Sequence, residues 1–254
     1  MYKKLNSIFL FLFLNTVNTE AGLLKKVQIL GAREGTTESY LSSTLKEGRR
    51  GERRRWTFFN SPEASEPKLP QKYLPLPIVR QETNYSCGAA SLLSILSYWG
   101  VFSGEESELY EPLHTTPENG TEPGKIVEVA ASFGLQAESK KFTQLHELRR
   151  ALHKGITVIL DIQAWRDASN ITPWKDDWDN GHYVVLIAMD KTAAYFMDPS
   201  AGPAYAYMPI QELLERWHDI EDQNGTVEKY YQLAIFIHGK NRSHKHSRTL
   251  IRIE

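Results

Sequence analysis

Cysteine is nearly absent from this chain, since Cys87 is the only one among 254 residues. One cysteine excludes an internal disulfide framework, and a single thiol is either a small buried residue or a reactive group. An excess of charge is absent too, because 30 basic residues face 31 acidic ones and leave a formal net charge of −1. The chain therefore offers no global electrostatic attraction to nucleic acid.

Long apolar runs are also scarce, and the one near the amino terminus covers residues 8–14 (IFLFLFL). Lys3 and Lys4 precede this run and Ala21 follows it, which is the three-part pattern of a secretory signal peptide. The run is too short for a comfortable membrane span. We therefore expect residues 1–21 to direct export to the periplasm or the medium. An uncleaved signal that anchors the protein in the membrane is the alternative.

The composition divides the rest of the chain into three parts. Between residues 22 and 56 the chain has nine Lys/Arg against four Asp/Glu, and a Pro/Ser/Glu-rich piece follows at 60–71. Such composition favours a solvated linker or pro-segment over residues 22–72. We expect a folded domain over residues 73–240 and a basic tail over residues 241–254.

The order of the hydrophobic patterns predicts an α+β fold, with helices early and strands late. Four stretches have the helical period between capping residues, with Ser86 and Thr143 as two of the N-caps. These predicted helices are 86–100, 123–135, 143–155 and 209–219. Four short runs rich in apolar, β-branched and aromatic residues are predicted strands. They are 156–162, 183–189, 193–198 and 230–239.

The position of Cys87 favours a reactive role over a structural one. It stands at the start of the first predicted helix and is followed by Gly-Ala-Ala. The positive end of a helix dipole stabilises thiolate over thiol, and small residues let the helix pack closely while the sulfur stays at an edge. A structural cysteine needs neither feature. We therefore take Cys87 as the candidate nucleophile.

A predicted hairpin supplies a histidine and a carboxylate. His182 precedes the strand 183–189, and Asp198 ends the strand 193–198. If the turn lies at residues 190–192, antiparallel pairing brings His182 within about two residues of the position that faces Asp198. The carboxylate would then hold the imidazole in one tautomer while the other ring nitrogen faces a nucleophile.

Two further features surround this candidate triad. Gln81 lies six residues before Cys87, so its side-chain NH2 and the Cys87 backbone N–H would together form an oxyanion hole. The segment before the histidine contains three tryptophans and four aspartates, and we expect it to line the substrate cleft; plain packing is the alternative. The expected substrate-binding residues are Trp174, Trp178 and Gly181. The aspartates lack the spacing of a calcium loop, so we expect no metal.

The stretch 81–96 (QETNYSCGAASLLSIL) resembles the nucleophile segment of the bacteriocin-processing cysteine peptidases, which cleave double-glycine leader peptides. The resemblance continues through residues 120–160, GHYVVLIAMD at 181–190 and YFMDPSAG at 195–202. It implies a papain-like fold whose catalytic cysteine begins a helix that packs on an antiparallel sheet. It also implies the roles of oxyanion donor, nucleophile, base and orienting carboxylate for Gln81, Cys87, His182 and Asp198.

The expected activity is therefore that of a thiol peptidase acting on a peptide or protein through a thioester acyl-enzyme. A transferase or amidase would use the same triad and the same first half-reaction, so the sequence does not separate these activities. A catalytically silent binding module is disfavoured because all four functional positions are filled. We expect no cofactor and no nucleic-acid partner, and the sequence leaves the oligomeric state open.

Overall fold

The computed structural model of the protein describes residues 67–223, 226–240 and 250–253. The predicted signal peptide (1–21), the predicted linker as far as residue 66 and most of the predicted basic tail lie outside the described residues. None of the helices in the described part combines the length and the apolar character needed to cross a bilayer.

Helices precede most of the strands along the chain. The α-helices are α1 (Cys87–Tyr98), α2 (Tyr110–Leu113), α3 (Pro123–Ser132), α4 (Leu145–Lys154) and α5 (Ile210–Arg216). Short 3-10 turns cover Glu106–Leu109 and Trp174–Asp176. The strands are β1 (Gln136–Lys140), β2 (Thr157–Gln163), β3 (Gly181–Met189), β4 (Ala193–Met197), β5 (Tyr205–Pro209), β6 (His218–Gln223), β7 (Thr226–Tyr231), β8 (Ala234–His238) and β9 (Leu250–Arg252).

One sheet organises the described part of the chain. Its strand order is β1-β8-β2-β3-β4-β5-β9, and β6 and β7 form a separate two-stranded ribbon. Neighbouring strands of the large sheet are antiparallel except β5 and β9, which are parallel. One apolar core joins residues of α1 and α3 to the sheet, and a second joins residues of α4 and α5 to it. The predicted α+β class is therefore confirmed.

The α1 helix is buried on nearly all sides because its residues are almost all apolar or small. Leu92 and Ile95 are fully shielded from solvent, and burial of one such side chain contributes roughly 1.5–3 kcal/mol. The buried hydroxyl of Ser91 is paired as well, since it donates to the carbonyl of Tyr183 on β3. The helix that begins at Cys87 is thereby fixed against the strand that carries the candidate histidine.

The helix caps differ from the prediction. Ser86 occupies the N-cap position of α1, but its side chain makes no capping bond because its hydroxyl accepts from the N–H of Thr83. The cap of α4 is Gln144 rather than Thr143, whose hydroxyl donates to a carbonyl of the preceding strand. Gln144 and Glu147 form a reciprocal capping box, which satisfies two backbone donors at once.

The predictions near the carboxyl end were partly wrong. The single predicted strand over 230–239 is divided into the end of β7 and the whole of β8, because Gln232 between them has a left-handed backbone with φ 47°. The predicted helix over 209–219 ends at Arg216, since β6 begins at His218. The strands β1, β5, β6 and β9 were not predicted, and β9 arises within the predicted basic tail.

Candidate active site

The thiol of Cys87 lies at the first residue of α1, as predicted. The backbone N–H of Tyr183 on β3 donates to its sulfur at 3.5 Å. Gly88 leaves room for a neighbouring segment, because a Cβ at this position would collide with the side chain of Thr121. The start of α1 is therefore enclosed by β3 on one side and by the Thr121 segment on another, while Cys87 itself stays partly exposed.

The predicted His–Asp hairpin is present. The Nε2 atom of His182 lies 2.7 Å from Oδ1 of Asp198. Val185 on β3 pairs with Met197 on β4. Asp198 therefore faces residue 184, which is two residues from His182. The turn lies at the predicted place. Oδ1 of Asp190 stabilises it by accepting hydrogen bonds from two nearby backbone N–H groups.

Asp198 is fully buried, and its oxygens accept from several donors. Besides His182, the N–H of Ser200 donates to Oδ1 at 2.8 Å and the indole N–H of Trp165 donates to Oδ2 at 3.0 Å. Trp165 has a left-handed backbone with φ 59°, which is unfavourable for a large side chain. Strained backbone of this kind is concentrated at functional sites. The sequence predicted Trp165 only as part of the segment expected to line the cleft, and its bond to Asp198 was not predicted.

The charge state of His182 follows from its surroundings. Burial alone would lower the pKa of His182, whose side chain is almost fully enclosed. The charge and hydrogen bond of Asp198 oppose burial, the Cys87 thiol adds to them, and the pKa is raised to about 10. At neutral pH this pKa favours an imidazolium, which is hydrogen-bonded to Asp198 and lies near enough to Cys87 to be influenced by it. Because Nε2 faces Asp198, Nδ1 is the ring nitrogen available to the thiol.

Gln81 is fixed beside the turn that follows Asp198. Its backbone N–H donates to the carbonyl of Pro199, and its Oε1 accepts from the hydroxyl of Ser200. Its Nε2 donates to the carbonyl of Thr83 at 2.7 Å. An amide nitrogen carries two protons, and this bond uses one of them.

A buried glutamate, which the sequence analysis also missed, supports the loop before Cys87. Glu106 is 2% exposed, and its carboxylate accepts from the N–H of Glu82 at 3.2 Å and from the hydroxyl of Tyr110 at 2.9 Å. Burial raises the pKa of Glu106. The loop that carries Gln81 is thereby hydrogen-bonded to the 3-10 turn that contains Glu106.

A cavity of about 350 Å³ opens beside Cys87. Trp178 and Gly181, two of the three predicted substrate-binding residues, line this cavity. Trp174 does not line it; its ring lies between the guanidinium groups of Arg166 and Arg216, at 3.6 and 3.4 Å from the ring centre. The structure thus brings two of these residues to the thiol and gives the third a packing role.

Two further cavity residues escaped the sequence analysis. Asp161 on β2 and Asp219 on β6 both line the cavity, although 57 residues lie between them in the chain. The available signal was one aspartate within the otherwise apolar strand ITVILDI. Across the described residues, no three histidine, cysteine or carboxylate side chains are arranged to hold a metal ion.

A cysteine at the start of a buried helix, packed on an antiparallel sheet that carries a histidine and an aspartate, defines the papain-like class of α+β proteins. Within this class, the sequence of residues 73–225 matches the model of the Peptidase C39-like family. This match covers more than half of the chain, and the chain belongs to that family. The resemblance to the bacteriocin-processing peptidases is thereby confirmed.

The chain is also similar to proteins of two Methanothermobacter species. It is 32% identical over 125 residues to an uncharacterized protein of Methanothermobacter thermautotrophicus, and the match covers 49% of this chain and 72% of that protein. An uncharacterized protein of Methanothermobacter marburgensis is 30% identical with the same coverage.

Two solved structures were found to be similar to this chain. One is the double-glycine motif protease of an AMS/PCAT transporter in complex with the leader peptide, with 18% identity and a TM-score of 0.46 over 67% of this chain and 96% of that one. The other is the peptidase domain of Streptococcus ComA, a bifunctional ABC transporter, with 21% identity and a TM-score of 0.46 over 64% and 97%.

Proposed function

We propose that the protein is a cysteine peptidase that hydrolyses peptide bonds through Cys87, His182 and Asp198. The observation that carries this proposal is the His182–Asp198 hydrogen bond of 2.7 Å, with the partly exposed thiol of Cys87 near the histidine ring. Because residues 1–21 are expected to direct export, we place the substrate, a peptide or protein, outside the cytosol.

In the first half-reaction the Cys87 sulfur, as thiolate, attacks the carbonyl carbon of the scissile bond and forms a C–S bond. The carbonyl electron pair moves onto oxygen, where the Gln81 Nε2–H and the Cys87 backbone N–H stabilise the charge. The Nδ1–H of His182 then protonates the departing amine nitrogen as the C–N bond breaks. The acyl group remains on Cys87 as a thioester.

In the second half-reaction the neutral His182 takes a proton from water as the water oxygen attacks the thioester carbon. The C–S bond breaks, the carboxylic acid product leaves, and the thiolate–imidazolium pair is restored. Asp198 keeps its charge throughout and orients the ring through Nε2. A competing amine in place of water would give acyl transfer from the same intermediate.

Incubation of the full-length protein with a defined peptide mixture, analysed by mass spectrometry, tests this proposal. We expect new cleavage products with the wild type and none with Cys87→Ala. Glu111→Gln, a change of an exposed residue on α2, is the matched control and should cleave like the wild type. Addition of glycinamide would separate hydrolysis from transfer, since a transferase forms the amide adduct. Equal cleavage by Cys87→Ala would contradict the proposal.

A further inference from the structure

Acidic side chains line the cavity beside Cys87, and no basic side chain among the described residues does. In the described part of the chain, no lysine, arginine or histidine contributes to its wall, while five carboxylate side chains do. These are Glu118, Asp161, Asp179, Asp219 and Glu221. Its volume of about 350 Å³ admits one extended side chain. Such a wall favours a cationic group over an anionic one.

The floor of this cavity contains a carboxylate oxygen without a partner. Asp161 is 2% exposed and faces Tyr183 across the β2–β3 pairing. Its Oδ1 has no hydrogen-bond partner in the described structure, and neither does the buried Oε1 of Glu221. Buried polar atoms without partners are rare in folded proteins, so each calls for a specific explanation. A hydrogen-bond donor brought in by a ligand is the explanation that fits the place of both atoms.

The second carboxylate of the floor is held in position by its neighbours. Oδ1 of Asp219 accepts from Nε2 of Gln163 at 2.8 Å. Gly181 provides the space for this carboxylate, because a Cβ there would collide with it. Burial, followed by the neighbouring Asp219 charge, raises the pKa of Asp161 well above its ordinary value, and burial raises the pKa of Asp219. These raised pKa values disfavour two charged carboxylates side by side, and an incoming cation would favour their ionised forms.

Nearby basic groups have other partners. The ring of His218 on β6 bonds to the carbonyl of Asp177 at 2.7 Å, and the ammonium of Lys229 on β7 lies 4.1 Å from the ring centre of Trp178. Neither residue lines the cavity. The other ionisable residues of the wall, Tyr85, Cys87, Tyr183 and Tyr230, contribute no positive charge. The imidazolium of His182 is paired with Asp198 and does not line the cavity.

We propose that this acidic cavity is the substrate subsite next to Cys87 and that it takes a cationic group of the peptide. The group is an ammonium or guanidinium, carried by a lysine or arginine side chain near the scissile bond or by a free amino terminus. This substrate class rests on the proposed peptidase function, because the cavity is a substrate subsite only if Cys87 is the nucleophile. The ammonium donates to Oδ1 of Asp161 and lies against the charge of Asp219.

The test uses full-length Cys87→Ala protein, so that binding is measured without turnover. Peptides are compared by calorimetry in three forms: one with lysine, one with norleucine at the same position, and the norleucine form with an acetylated amino terminus. The lysine is moved along the peptide one position at a time. We expect the cationic peptides to bind roughly 10- to 100-fold more tightly, as hydrogen bonds to charged groups imply. We also expect release of protons on binding, seen as a dependence of the heat on the buffer.

Asp161→Asn and Asp219→Asn, each made in the Cys87→Ala protein, should abolish the preference for cations. Glu111→Gln in the same background should keep it. If Asp219→Asn fails to fold, Asp161→Asn, in which an amide replaces the carboxylate, still decides the point. Equal binding of lysine and norleucine peptides at every position, with no effect of acetylation, would overturn the subsite. Preserved preference for cations in a protein that never cleaves would instead overturn only the peptidase proposal.

Discussion

Two buried pairs of side chains lie close to Cys87, and their chemistry is opposite. In the first pair the Asp198 carboxylate meets His182, and the pair holds a positive ring beside the thiol. In the second pair Asp161 lies beside another carboxyl group, Asp219, and the pKa values of both are raised. Both pairs are buried in the same fold, so the identity of the partner, rather than burial alone, sets the charge beside the nucleophile.

The comparison predicts that the two pairs serve different steps. The first supplies the proton transfers of catalysis, and the second recognises the charge of the substrate. Changes in the first pair should therefore affect the rate for every peptide. Changes in the second should affect which peptides are accepted and how stability depends on pH.

The largest expected effect comes from Asp198→Asn, which keeps the shape of the first pair but removes its charge. We expect kcat/KM to fall by about 10²- to 10⁴-fold, as loss of the orienting carboxylate or of general acid–base catalysis does in other hydrolases. Because Asp198 raises the pKa of His182 to about 10, its removal should lower that pKa. The alkaline limit of activity should therefore move to lower pH. A full pH–rate profile measures both, and an unchanged alkaline limit would contradict the pairing.

A smaller effect is expected from Trp165→Phe, which removes the indole donor and leaves Oδ2 of Asp198 buried without it. A buried acceptor that loses its partner costs about 1–3 kcal/mol of unfolding free energy. Urea denaturation measures the loss. Trp178→Phe is the matched control, because its ring lines the cavity and packs against His218 rather than Asp198. Equal stability of Trp165→Phe and the control would show that Asp198 does not need this bond.

The smallest effect is expected from Asp161→Asn in the second pair. A carboxyl group with a raised native pKa binds more protons in the folded state than in the unfolded state, so wild-type stability falls as pH rises above its ordinary value of 3.8. The amide removes this loss. We expect the Asp161→Asn substitution to increase the unfolding free energy by about 1 kcal/mol at pH 8, or roughly 2–4 °C in Tm, with no gain at pH 4. An equal rise in Tm at both pH values would contradict a raised pKa of Asp161 in the folded protein.

The sequence predicted the first pair better than the second for a physical reason. His182 and Asp198 lie on strands joined by a short turn, so their approach follows from local hairpin geometry. Cys87 was recognisable from its place at a helix start. The packing of α1 on β3 then brings Cys87 to this pair.

The second pair could not be predicted in this way. Asp161 and Asp219 are distant in the sequence, and only the contact of β6 with the large sheet brings them together. The strand β1 was missed for a related reason, since its residues QAESK are mostly exposed and its place is set by pairing with β8. Trp165 was grouped with two other tryptophans, and nothing local distinguishes its bond to Asp198 from the packing of Trp174.

The central claim is that His182 activates Cys87, and the alkylation rate of this single thiol against pH tests it most directly. We expect iodoacetamide to modify Cys87 in the folded wild-type protein well below the ordinary thiol pKa of about 8.5. His182→Ala should slow this reaction strongly at neutral pH, with its fold checked by circular dichroism. A thiol that reacts only after unfolding, at the same rate in both proteins, would contradict the claim and make Cys87 a structural residue.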